Sequence, residues 1–271
     1  PVAAVQAFSI DDSSTTEIDD ALSVQGLGSG TVVLGVHIAA PGLAFATGSE
    51  IDKVASQRLS TVYMPGWKLT MLPDAVVQAY TLTAGQDCPA VSLYVSFDEA
   101  TLALQGSETK LERVRIVTNL RHDQLDSVIT EASLIGEAPA DYGHAAELAF
   151  AFRLARQLKA QREVVRGKPE NFSRPAYNFR LVGNDGAEPA GDEQVQISIR
   201  QRGAPLDLID EIEKVGKVLD AKVGYITKDS AFAANAKRIG KGMNELVVSY
   251  RALPLSTVSV AASPLALSST R

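Results

Sequence analysis

The run Ser9-Ile10-Asp11-Asp12-Ser13-Ser14-Thr15-Thr16-Glu17-Ile18-Asp19-Asp20-Ala21-Leu22 decides the reading of this chain. From Asp11 to Asp20 it sets five carboxylates within ten residues, and apolar, strand-like runs flank it on both sides. Carboxylates crowded in this way repel one another unless a cation neutralises them or some ionise poorly. Oxygen-only ligands suit a hard cation, Mg²⁺ or alternatively Mn²⁺, which keeps waters and takes further ligands from a substrate phosphate. An EF-hand calcium loop is excluded, because its mid-loop glycine is missing.

Outward from this loop, residues 5–10 predict a first strand and residues 21–24 a second. Gly26-Leu27-Gly28-Ser29-Gly30 is a turn that leads into a buried strand over residues 31–40. A phosphate-cradling glycine loop needs a helix N-terminus after it, so a hairpin turn is the better reading. His37, inside that apolar strand, reads as a satisfied core residue. Ser49 is a fair N-cap for a helix over residues 50–59. In residues 59–73 the pair Pro65-Gly66 marks a turn flanked by Tyr63 and Trp67. Those aromatics either plug the core or form a stacking surface for bases.

Residues 90–97 and 110–117 read as paired strands, and residues 120–131 as a short helix carrying Arg121, His122 and Asp123. Residues 141–165 predict a long amphipathic helix with Leu148, Phe152, Ala155 and Leu158 on one face. Its second half and the residues after it are basic: Arg153, Arg156, Lys159, Arg162, Arg166, Lys168 and Arg174. This run is either a solvated face or a track for phosphates. Residues 168–179 read as loop with Phe172, Tyr177 and Phe179, and residues 194–200 as a strand. Pro205 stands ahead of a helix over residues 206–223. Beyond Gly224 only a helical stretch near 232–239 and a strand near 245–249 are assignable.

Composition narrows the class. A length of 271 residues suits one large domain or two small ones, and 45% hydrophobic content suits a real core. The net charge of −6 gives no global nucleic-acid signature, although a local basic groove depends on distribution. The single cysteine, Cys88, excludes an internal disulfide framework and any Cys-based zinc site, and fits a reducing cytoplasm. No run is long enough to span a bilayer and no signal-peptide pattern opens the chain. Both ends read as cut from something longer.

The acidic loop, the buried strand with its His37-Ile38-Ala39, the Thr61-Val62-Tyr63-Met64-Pro65 segment and Met71-Leu72-Pro73, taken in order, resemble the catalytic (RNB) domain of the ribonuclease II / ribonuclease R family. The likeness to the family's short bacterial members runs from about Ala7 to Leu208. It implies an α+β fold with a strand-rich, barrel-like core wrapped by helices. It implies a catalytic domain over residues 1–209 and a divergent or truncated C-terminal part over residues 210–271. It also implies hydrolytic 3′-to-5′ degradation of single-stranded RNA to nucleoside 5′-monophosphates.

The family's acidic motif, I-D-x-x-x-x-x-D-x-D-D-A, maps its first Asp to Asp11 and its last two to Asp19 and Asp20. The intermediate Asp falls on Glu17, which sets the charge one methylene further out, and Asp12 matches no family ligand. By this resemblance Asp11, Glu17, Asp19 and Asp20 hold Mg²⁺, with Asp19, Asp20 and Glu211 catalytic. Tyr63 maps to an RNA-stacking aromatic. His122 takes the place of a stacking tyrosine, and Phe172 that of a phenylalanine clamping the last nucleotide. Arg153, Arg156, Lys159 and Arg162 would guide phosphates. The family's later S-P-[LI]-R-R-Y has no counterpart, since Ser263-Pro264-Leu265 is followed by Ala266 and Leu267. Single-stranded RNA is the implied partner, with flanking RNA-binding domains expected, a monomer, no membrane association and a cytoplasmic location. The competing class is a catalytically dead RNB-like module that binds RNA or a protein. A Mg²⁺ phosphohydrolase for small molecules accounts for the carboxylates but not for Tyr63 or the basic run.

Overall fold

In β1 (Val2–Asp11), Val5 and Ala7 turn to one face and Phe8 and Ile10 to the other, so the strand is covered on both sides. The computed structural model describes residues 2–65, 67–169, 176–183, 191 and 194–200. Phe172, Glu211, the expected helix over residues 206–223 and the proposed division near residue 209 lie outside the described residues.

Five strands close into a barrel: β1, β2 (Asp20–Gln25), β3 (Thr31–Ala39), β6 (Asp87–Asp98) and β7 (Leu104–Arg121). Neighbours run antiparallel except β1 and β7, whose parallel pairing from Val2↔Arg113 to Asp11↔Arg121 shuts the ring. Closure removes the free edges that an open sheet of such apolar strands would present. The mixed α+β architecture therefore agrees with the expectation.

Side-chain alternation sorts the strands into an inside and an outside. The interior holds Val5, Ala7, Ala21, Ala90, Val114 and Ile116, with Ile18 and Leu82 beneath the acidic loop. His37 also points inward and is fully buried, satisfied by Ser23 Oγ at 2.8 Å and Ser92 Oγ at 2.9 Å. The core reading of this histidine thus holds. Gly35 makes room for it, because a Cβ there would sit 2.7 Å from His37 Nε2 and collide with Ser23 Oγ.

Outside, the long helix α5 (Ala145–Arg166) lies on the barrel. Leu148, Ala151, Leu154 and Ala155 recur at helical spacing and are buried. Leu148 and Ala151 meet Phe8, Leu22, Ile129 and Leu134, while Phe150 and Leu154 meet Val32, Leu34, Val95 and Phe97. Each fully buried large side chain in this layer contributes about 1.5–3 kcal/mol of transfer free energy.

Helix α1 (Glu50–Arg58) starts where predicted, with the Ser49 side chain accepting from Asp52 N. Two expectations are corrected, and one alternative is resolved. Residues 120–131 are not one helix: Leu120 and Arg121 end β7, and only α3 (His122–Leu125) and α4 (Glu131–Leu134) are helical. Parallel pairing with β1 holds Leu120 and Arg121 in the sheet. Residues 168–179 are not all loop, since β8 (Ala176–Leu181) pairs with β9 (Val195–Arg200). Tyr63 does not plug the core. It lies in a small hairpin, β4 (Val62–Met64) and β5 (Trp67–Leu69), and is 71% exposed. Helix α2 (Asp74–Tyr80), which follows Pro73, had no expectation. Among the described residues no helix is long and apolar enough to cross a membrane.

Candidate active site at the acidic loop

The loop from Asp11 to Asp20 joins the end of β1 to the start of β2, so it caps one end of the barrel. Its middle is pinned by Ile18, which is buried among the barrel residues. Ile18 N donates to Thr81 Oγ1 at 2.7 Å, and Leu82 N donates to Ile18 O at 2.9 Å. Ala39 N donates to Asp19 O at 2.8 Å. The apolar anchor fixes where Glu17 and Asp19 stand on either side of it.

Arg121 fixes the first half of the loop. Its Nη1 donates to Asp12 O at 2.9 Å and Thr15 O at 3.3 Å. Asp12 folds back on Ser14, accepting from its N at 2.9 Å and its Oγ at 2.6 Å. Burial pushes the Asp12 carboxyl up, but these two bonds outweigh it and hold the group below the usual carboxylate range. Asp123 accepts from Ser13 N and Oγ and is likewise held low against its slight burial.

Asp11 and Asp19 behave differently. Burial raises the Asp11 carboxyl, against the opposing pull of Ser9, Arg121 and His122. Burial also raises Asp19, and the negative charges of Glu17 and Asp11 raise it further, with Lys68 opposing. The charges of Glu17 and Asp11 thus reach the Asp19 carboxyl. Asp20 is exposed and follows β2 alternation onto the face of Leu22, opposite Ala21 and Ser23. The two adjacent aspartates therefore leave the chain on different sides.

The β4–β5 hairpin is part of this site. Lys68 Nζ donates to Glu17 Oε1 at 2.6 Å and to Thr16 Oγ1 at 2.8 Å. Tyr63 is the cross-strand partner of Lys68. Partial burial raises the Tyr63 phenol, and Glu17 and Asp19 raise it further. One exposed aromatic ring and the loop carboxylates therefore sit within each other's field. An all-oxygen donor set in which burial raises Asp11 and neighbouring carboxylates raise Asp19 is chemically suited to a hard divalent cation.

Other predicted residues stand elsewhere. His122 is 4% exposed, with Nε2 3.7 Å from Asp12 Oδ2, so its ring does not offer an open face to a base. Ligand-type atoms of Asp12, His122 and Asp123 all lie within 4.8 Å of one another, a grouping the sequence reading passed over when it set Asp12 aside.

Arg153, the first of the basic run, lies away from the loop. Arg153 Nη2 donates to Glu99 O at 2.7 Å, and Glu99 in turn accepts from Gly28 N and Gly30 N. The glycine turn is therefore a nest already filled by a carboxylate. Asp20 pairs with Ile38 at one end of β3 and Asp98 with Thr31 at the other, roughly 23 Å apart along the strand. Arg153 thus sits at the end of the barrel opposite Asp20. Arg156 is paired with Glu131 at 2.7 Å. Lys159 and Arg162 lie further along the same helix. The sequence reading missed Lys68, Ser9 and Asn119; only Lys68, between Tyr63 and the Met71-Leu72-Pro73 segment, carried a positional hint.

Comparison with known proteins identifies the family and the fold. The family description RNB domain matches residues 2–228. Exoribonuclease 2 of Aeromonas hydrophila is 29% identical over 229 residues, covering 80% of this chain. The chain spans 31% of that relative's length. An active-site mutant of the Dss1 exoribonuclease from Candida glabrata superposes with a TM-score of 0.69 at 18% identity, over 82% of this chain and 30% of the other. Mycoplasma genitalium RNase R, solved with ribose-methylated single-stranded RNA, gives a TM-score of 0.64 at 19% identity, over 82% of this chain and 32% of the other.

Proposed function

The chain belongs to the RNB domain family, and from that premise we propose that it serves a Mg²⁺-dependent exoribonuclease, degrading single-stranded RNA from its 3′ end to nucleoside 5′-monophosphates. The observation that carries the reading is the β4–β5 hairpin bonded to the acidic loop, with Lys68 Nζ 2.6 Å from Glu17 Oε1 and the exposed ring of Tyr63 as the cross-strand partner of Lys68. Mg²⁺ bound there would lower the pKa of an attacking water and neutralise charge at the scissile phosphate.

The chain's own groups divide the remaining work. Asp11, Glu17 and Asp19 supply oxygen ligands, and Asp20, which leaves the chain on the other side from Asp19, keeps its proposed metal-binding and catalytic role through a bend where β2 begins. Ser9 donates to Asp11 Oδ2 at 2.6 Å and fixes that carboxylate's rotamer. Tyr63 stacks on a base, holding the strand so that a phosphate reaches the loop. Glu211 and Phe172 keep their proposed roles as the later glutamate and the clamp on the last nucleotide. Arg153 and Arg156 leave the phosphate track, because they hold α5 against Glu99 and Glu131. A cytoplasmic site of action goes with this reading.

The test is cleavage of 5′-labelled single-stranded RNA by the full chain, with Mg²⁺ and with EDTA. Mg²⁺-dependent laddering that Asp20→Asn abolishes supports the proposal. RNA binding with no cleavage at any Mg²⁺ concentration refutes it in favour of a binding-only module.

A further inference from the structure

Lys68 is a cation that the hairpin delivers into the acidic loop. Its Nζ is 2.6 Å from Glu17 Oε1, and the Glu17 side chain is only 10% exposed while that of Lys68 is 30% exposed. A charge-assisted contact this short on a mostly covered carboxylate is more than a rim ion pair. The same ammonium donates to Thr16 Oγ1 at 2.8 Å. It stands opposite Tyr63 in the hairpin register, so ring and ammonium ride on one two-stranded element. That hairpin is short, and Val62, Tyr63 and Met64 are all exposed, so few buried contacts resist a small displacement.

An ammonium and a divalent cation compete for the same carboxylate, because each satisfies Glu17 by neutralising it. Lys68 set free by a metal remains beside Tyr63, where a stacked nucleotide would place its phosphate. We propose that Lys68 is an exchangeable counter-ion: it holds Glu17 when no metal is bound, and moves to a phosphate of the RNA strand when metal takes Glu17. It is a positioning residue that couples metal loading to substrate grip. This rests on the nuclease reading of the loop.

The full chain separates the possibilities in two titrations. The first follows Mn²⁺ binding by calorimetry in wild type, Lys68→Met and Lys68→Arg. Lys68→Met should bind metal about three- to tenfold more tightly, since a competing charge is gone. Lys68→Arg should stay near wild type. The second follows a phosphorothioate single-stranded RNA by fluorescence anisotropy across salt concentrations. With Mg²⁺ present, Lys68→Met should lower the slope of log affinity against log salt by about one, the signature of one lost phosphate contact. In EDTA the wild-type and Lys68→Met slopes should coincide, because Lys68 is then held by Glu17.

Unchanged metal affinity in Lys68→Met overturns the proposal, as does a slope that differs equally with and without metal. Wild-type protein that binds no divalent cation overturns both this proposal and the reading of the loop. Wild-type binding with an unaffected Lys68→Met overturns this proposal alone.

Discussion

Ser9 donates its hydroxyl to Asp11 Oδ2 at 2.6 Å, and Asn119 Nδ2, from β7, donates to that same hydroxyl at 3.0 Å. Asn119 is itself fixed, donating to Leu82 O at 2.9 Å and accepting from Ala84 N at 2.8 Å. A half-buried relay therefore runs from the segment after α2, through the strand that closes the barrel, to a loop carboxylate. Burial raises Asp11, and the Ser9 bond opposes it by favouring the ionised form.

Ser9→Ala removes that opposition. The Asp11 carboxyl should rise further, so the acid limb of the cleavage rate should move to higher pH. The rate near pH 6 should fall more than the rate near pH 8. The stability cost should be about 1 kcal/mol, since Asn119 keeps its other two bonds. A lowered melting temperature with an unmoved pH–rate profile would reduce Ser9 to a packing role.

Asp19→Asn separates site from scaffold. The Asp19 carboxyl is raised in the folded protein by burial and by Glu17 and Asp11. Folding then favours the protonated form, so stability is lost as pH rises through the folded pKa, and the ionised group is destabilising at neutral pH. Asp19→Asn should therefore melt at the same temperature as wild type or higher at pH 7, while cleavage falls by about a hundredfold or more. Wild type should gain stability on adding Mg²⁺, and the variant should gain less. Thermal melts with and without the metal check both points.

The strands flanking Asp11–Asp20 were legible from their apolar runs, whereas the barrel they close into was implied only by the resemblance to the RNB family. What was not legible depends on which strands meet. Leu120 and Arg121 sit next to a helix start and read as helical, yet pairing with Ile10 and Asp11 makes them sheet. Lys68 and Glu17 are 51 positions apart, and only the hairpin's fold over the loop joins them. The stepped basic residues of α5 were visible, but their direction was not. The helix carries Arg153 to the β6–β7 turn, away from the loop.

That direction gives a contrast between two binding variants. Tyr63 is exposed and anchors nothing in the core, so Tyr63→Ala should leave the melting temperature within a degree or two of wild type. It should weaken single-stranded RNA by about 1–3 kcal/mol, the worth of one base stacked on an aromatic. Arg153→Ala should do the reverse. It removes the bond to Glu99 O and the guanidinium over Phe150, lowering stability by roughly 1 kcal/mol with little change in RNA affinity. An Arg153→Ala protein with strongly weakened RNA binding would return the basic face of α5 to the substrate path.

The barrel interior sets the acid limit of the fold. His37 is fully buried between Ser23 and Ser92, and burial drives its pKa from 6.5 to about 4, with Glu112 opposing. A histidine depressed in the folded state takes up protons in the unfolded state first. Stability is therefore full above pH 6.5 and declines as pH falls toward 4. The size of that decline is on the order of 3 kcal/mol by linkage. Urea melts at intervals between pH 7 and pH 4.5 should show the slope while Asp12 and Glu99, which are held low, remain ionised. His37→Gln should flatten it, since glutamine can bond both serines without titrating. Gly35→Ala tests the same packing from the backbone. Its Cβ would press on Ser23 and on His37, and the cost should be about 1–3 kcal/mol at every pH. A pH slope that survives His37→Gln would assign the acid sensitivity to another group.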